Sequence, residues 1–151
     1  MSKMGPEIIV YTDGACRGNP GPGGWGAVLE SGSHYKEIYG GDESTTNNRM
    51  ELVATIEALK SIKASDRKIK LFTDSVYVKN GITQWMHNWK KNGWKTAAKK
   101  PVKNTDLWVV LDQVQQQHNI EWCWIKGHAG HPGNEKADQL ANKGIEELLT
   151  G

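Results

Sequence analysis

Two apolar runs in this chain end on an aspartate: Ile8-Ile9-Val10-Tyr11-Thr12-Asp13 and Ile69-Lys70-Leu71-Phe72-Thr73-Asp74. Both runs read as strands. An ionised carboxylate carried into a core by its own strand is costly unless a cation or a proton compensates it. Two further acids share the problem. Glu51 lies in line with Thr55, Ala58 and Ile62, at helical offsets of four, seven and eleven. Asp138 lies in line with Ala141, Ile145 and Leu148, at offsets of three, seven and ten. Both stripes are mainly apolar, so both acids should face inward on helices. Any one of the four is equally well explained as a cap or a salt-bridge partner. Four together, from four segments, make most sense as one cage for divalent metal. Oxygen ligands of this kind favour Mg2+, with Mn2+ as a substitute, over Zn2+.

The order of elements says how such a cage could assemble. Residues 7–13 read as a strand and 14–24 as a Gly/Pro-rich turn; 25–31 and 34–40 read as a hairpin around Ser31-Gly32-Ser33. Thr45-Thr46-Asn47-Asn48 supplies helix-capping chemistry, and the helix should run to about Ile62 with Met50, Val53, Ile56, Leu59 and Ile62 making apolar contacts. A fourth strand at 68–74 is followed by a short helix near 75–80, a helix at about 83–91 and a loop from 92 to 104. A helix at about 105–117 should turn Leu107, Val110, Leu111 and Val114 inward, before a strand at 120–125 and a last helix at about 134–149. This is an α/β pattern: a mixed five-stranded sheet flanked by helices, its first three strands antiparallel and its last two parallel to the first. Asp13 and Asp74 then meet at matching ends of adjacent parallel strands, where ligands of open α/β sheets gather.

At 151 residues the chain is long enough for one domain with a real core, and 1–151 is read as a single catalytic domain. Cys16 and Cys123 form no disulfide framework, and the start, Met1 to Pro6, lacks a signal-peptide stretch, so a cytoplasmic setting is expected. No run is long enough to span a membrane, and nothing points beyond a monomer.

The net charge of +2 is unevenly spread. Lys79, Lys90, Lys91, Lys95, Lys99, Lys100 and Lys103 lie between Asp74 and Asp106 with no acid among them, giving that segment +7 and the remainder −5. Such asymmetry points to a polyanionic partner held in one region and metal or proton chemistry in another. Trp85, Trp89 and Trp94 interleave with Lys90, Lys91 and Lys95. Lysines neutralise phosphates and indoles pack on sugars, although Trp85 and Trp89, one turn apart, could equally belong to a core. Two hard cations about 3.5–4 Å apart can activate water and stabilise the leaving oxygen in phosphodiester cleavage. No nucleophile triad is apparent. His128 lies in a Gly-rich loop ten residues before Asp138, where it could move a proton near neutral pH. A zinc site at His128 and His131 lacks a fourth soft ligand.

Thr12-Asp13-Gly14, the turn from Gly18 to Gly24, Thr45 to Leu52, Thr73-Asp74-Ser75 and Gly127 to Pro132 resemble, in that order and over essentially the whole chain, the type 1 ribonucleases H. The resemblance implies Mg2+-dependent endonucleolytic cleavage of the RNA strand in an RNA/DNA hybrid, leaving 5′-phosphate and 3′-hydroxyl ends. It places the metals on Asp13, Glu51, Asp74 and Asp138, and gives His128 a part in proton transfer and product release. It puts the DNA strand against Trp85, Trp89, Trp94, Lys90, Lys91, Lys95 and Thr96. Asn19, Asn47 and Asn48, with Cys16, would face the minor groove, where a 2′-hydroxyl can be read. Thr46 and Asn104 would take a DNA phosphate. Two positions depart from the pattern: Val76, where a Gln often contacts substrate, and Ser44, where an Arg often helps with the phosphate. With no separate hybrid-binding domain expected, the basic segment must supply most of the grip. A non-catalytic binding module and a DNA nuclease on the same fold are the competing readings.

Overall fold

The computed structural model describes residues 7–63, 67–126 and 131–150. Five strands, β1 (Ile8–Cys16), β2 (Gly21–Ser31), β3 (His34–Thr45), β4 (Lys68–Thr73) and β5 (Asn119–Trp124), form one sheet in the order β3-β2-β1-β4-β5. The pairs β1–β2 and β2–β3 are antiparallel; β4 is parallel to β1, and β5 to β4. This is the expected mixed sheet.

Three features depart from the expected pattern. The Gly-rich stretch at 14–24 is mostly strand, not turn. Gly14 pairs with Trp25 and Cys16 with Gly23, so the ladder continues almost to the hairpin tip, and β3 likewise runs on to Thr45. Glycine in a strand marks a close approach of another backbone as often as a turn. Second, the two short helices expected after β4 are one continuous helical path. Helix α2 (Val76–Asn80) passes through a π-helical turn at Gly81–Trp85 into α3 (Met86–Lys91). At Gly81 the helix presses on the Trp108 ring, with no room for a side chain. Third, the inward anchor of α4 (Thr105–Gln115) is Trp108, fully buried, beside Leu111, while Leu107, Val110 and Val114 are only partly covered.

Helix α1 (Asn47–Lys60) begins at Thr46, whose Oγ1 accepts the Arg49 N–H at 3.2 Å, as an N-cap should. It lays Leu52, Ile56 and Leu59 on the sheet over Val10, Ile69 and Leu71. Helix α5 (Pro132–Thr150) opens on a proline, which favours the first helical turn, and packs across β1, β2 and β3. Its approach is nearly backbone on backbone. A Cβ on Gly24 would stand 2.0 Å from the Ala141 carbonyl oxygen, one on Gly26 2.5 Å from that of Ala137, and one on Gly144 2.1 Å from that of Gly40. No helix among the described residues is long and apolar enough to cross a membrane.

Candidate active site

The parallel register pairs Tyr11 with Phe72, and two residues further on stand Asp13, within β1, and Asp74, just past the end of β4. On its other side Asp13 pairs with Gly26, the glycine that lets α5 come down at Ala137. Asp138, the next residue of α5, is thereby brought within hydrogen-bond reach of Asp13. Glu51 arrives from α1 by the same device: a Cβ on Gly14 would lie 2.5 Å from the Glu51 backbone nitrogen. Missing side chains, more than any attraction among the acids, therefore bring the acids together.

Oxygens of Asp13, Glu51 and Asp74 lie within 4.8 Å of one another. Asp138 stands beside Asp13, outside this tight trio, with its Oδ1 accepting from Asn142 Nδ2 at 3.4 Å. Asp13 is 4% exposed and Glu51 6%. Burial, then the nearby Asp74 and Asp138, push Asp13 up to about 8. Burial, followed by Asp13 and Asp74, holds Glu51 well above the ordinary carboxylate range. Glu51 Oε1 is buried with no hydrogen-bond partner. A cluster of hard oxygens, one of them orphaned, needs positive charge, and the donor set fits a divalent cation. The acids line an open cavity of about 400 Å3 with Asn47, Asn48 and Val76 on its walls.

The other expected site residues fall into two groups. Near the acids, Asn19 Oδ1 accepts the Asn47 N–H at 3.3 Å, tying the β1–β2 hairpin tip to the start of α1. The Cys16 thiol lies 3.4 Å from the Thr45 carbonyl oxygen, and burial pushes its pKa up, away from the thiolate form. Farther off is the basic segment. Trp85, Trp89 and Trp94 are half-buried and form a chain of ring contacts with Tyr77 and Trp108. They are core and surface at once. Lys90 is 3.2 Å from the nearly buried Asp112, whereas Lys91 and Lys95 are exposed. Thr96 closes a turn by accepting the Lys100 N–H. His128 lies outside the described residues.

One residue was missed in the sequence. Arg49, one turn into α1, makes a two-pronged pair with Asp106 at 3.0 and 2.8 Å and donates to Asn104 Oδ1 at 3.1 Å. Asn104 holds a left-handed backbone (φ 61°) and donates to the Tyr77 hydroxyl, which also accepts the Trp108 indole N–H, each at 3.0 Å. A polar chain thus joins the Glu51 helix to the end of the basic segment. Nothing local in the sequence signalled it, since Asp106 lies 57 positions away.

The sheet and its carboxylate trio define an α/β protein whose donor set, at the carboxyl ends of its parallel strands, suits a divalent metal. A family model described as RNase H matches residues 5–146. A ribonuclease H of Polynucleobacter asymbioticus is 63% identical over 144 residues, covering 95% of this chain and 93% of that protein. One of Methylococcus capsulatus is 60% identical, covering 99% and 96%. Among solved structures, LC9-RNase H1, a type 1 RNase H with the type 2 active-site motif, superposes with a TM-score of 0.85 at 34% identity over 97% of this chain and 75% of that one. LC11-RNase H1 in complex with an RNA/DNA hybrid gives 0.74 at 26%, over 95% and 99%. The chain belongs to the ribonuclease H family.

Proposed function

We infer that the protein is an endonuclease that hydrolyses the RNA strand of RNA/DNA hybrids, leaving 5′-phosphate and 3′-hydroxyl ends, with Mg2+ as its cation and Mn2+ as a substitute. The observation that carries this reading is the carboxylate trio, two of its members buried, opening into a cavity walled by Asn47 and Asn48. Asp13, Glu51, Asp74 and Asp138 would hold the metal. When bound, such cations lower the pKa of the attacking water and offset charge on the departing oxygen. Asn142 orients Asp138. Asn19, Asn47, Asn48 and Cys16 meet the minor groove and read the 2′-hydroxyl, which is both donor and acceptor. His128 moves the proton and aids product release. The DNA strand lies on Trp85, Trp89, Trp94, Lys90, Lys91, Lys95 and Thr96, with one phosphate at Thr46 and Asn104. Residues 1–151 act as one catalytic domain, monomeric and cytoplasmic.

The test is an end-labelled RNA/DNA hybrid beside matched RNA/RNA and DNA/DNA duplexes, with Mg2+ and with EDTA. Cutting of only the hybrid's RNA strand, and only with Mg2+, is the expected result. Binding without cutting, or cutting of the DNA duplex, would overturn the reading.

A further inference from the structure

A second cavity, of about 290 Å3, adjoins the carboxylate cavity and shares Asp74, Ser75 and Val76 with it. Its far wall is Trp124, Ile125 and Lys126 at the end of β5, and Lys79 of α2 completes it. Val76 is 67% exposed, an unusual position for an aliphatic side chain, and it stands where the two cavities meet. Lys126 is also unusual. Outside the basic segment, to which Lys79 belongs, most cations are matched: Lys68 faces Glu121, Lys70 faces Glu7 and Lys136 faces Glu37. Among the described residues no such ion pair engages Lys79 or Lys126. The cavity's acid, Asp74, belongs to the cation cluster. Two unmatched ammonium groups, an indole and an exposed aliphatic side chain therefore flank the reaction centre.

We propose that this cavity is a subsite for the nucleotide next to the cleaved linkage on the RNA strand. Its phosphate sits between Lys79 and Lys126, and its sugar and base lie against Trp124 and Val76. Ammonium groups neutralise backbone phosphate whatever the sequence, and an aromatic face accepts any base. Val76 cannot hydrogen-bond a base edge, so the subsite grips without selecting sequence. The assignment rests on the reading of the protein as a hybrid-cleaving nuclease, which the wild-type assay tests separately.

The experiment measures kcat and KM on a hybrid over a range of salt for the wild type, K79A/K126A, K79R/K126R and, as a background control on β3, K36A. The double alanine variant should raise KM several-fold with a smaller change in kcat, and flatten the salt dependence of KM by about two counterions. The arginine variant should restore both, and K36A should change neither. A single neutral methylphosphonate is then placed beside the cut, on either flank of the RNA or at the facing DNA positions. On one RNA flank it should weaken the wild type and add nothing to K79A/K126A. Unchanged KM and salt slope in an active K79A/K126A enzyme would overturn the subsite alone. A methylphosphonate effect seen only on the DNA strand would also overturn it. A wild type that cuts no hybrid would overturn the parent reading and the subsite with it.

Discussion

At Asp13 two requirements oppose each other: the cation needs a charged oxygen, and the core resists one. With Asp13 raised to about 8 from an ordinary 3.8, the metal-free folded chain holds a proton that the unfolded chain has released between those values. The folded state binds more protons there, so stability falls as pH rises through the window. In EDTA the melting temperature should drop from about pH 5.5 to about pH 9, and Mg2+ should raise it more at the higher pH. Equal Mg2+ stabilisation at both values would contradict this picture. Asp13→Asn should abolish cleavage yet stabilise the metal-free protein by about 2 kcal/mol, or roughly 4–8 °C, measured by thermal melts in EDTA. The acids were legible because each broke an apolar pattern at a position a core would claim. Asn19 and Thr46 were less so, since the side chains that could meet a ligand also cap and tie the chain locally. Arg49 was invisible because its partner lies 57 positions away and only the fold joins them.

Between elements, the site depends on two kinds of contact. One is the glycine-lined approach of α5 to the sheet. Gly26→Ala puts a Cβ 2.5 Å from a backbone oxygen that has no rotamer to yield. The helix must move, at a cost of about 1–3 kcal/mol, and Asp138 moves with it. The expected result is a folded enzyme whose kcat falls far more than its thermal stability does; calorimetry beside kinetics would show it. The other contact is the Arg49 clamp between α1 and α4. Arg49→Gln should raise KM more than it lowers kcat, because it releases Asn104 rather than a metal ligand, and Arg49→Lys should not restore the two-pronged geometry. A double-mutant cycle with Asp106→Asn should give a coupling of about 0.5–2 kcal/mol; no coupling would mean the pair is incidental. Strand order and the parallel crossover were readable from the alternation of runs and helices. The extent of β1 and β2 was not, since the same glycines serve as turn formers and as places for a helix to land.

Across the whole molecule, the charge split legible in the composition becomes a division of labour among lysines. Lys90 is also paired with Asp112, which is only 8% exposed, so Lys90→Ala should lower fold stability as well as weaken the grip on the DNA strand. Lys91 and Lys95 are exposed, and their joint replacement by Ala should flatten the salt dependence of hybrid binding by about two counterions with metal affinity unchanged; fluorescence titration at several ionic strengths would decide. Counting lysines could not separate these roles, because Asp112 comes from a helix beyond the basic segment. The orphaned oxygen of Glu51 has a consequence for the order of events. Before a cation arrives, the crowded acids offer the phosphate no positive charge, so the nucleic acid can dock on the lysines without being seated. Each ligand then makes room for the other, and thermodynamic reciprocity requires that hybrid tighten Mg2+ by the same factor as Mg2+ tightens hybrid. The cell's free magnesium would accordingly act as a clutch, setting the fraction of docked complexes that engage.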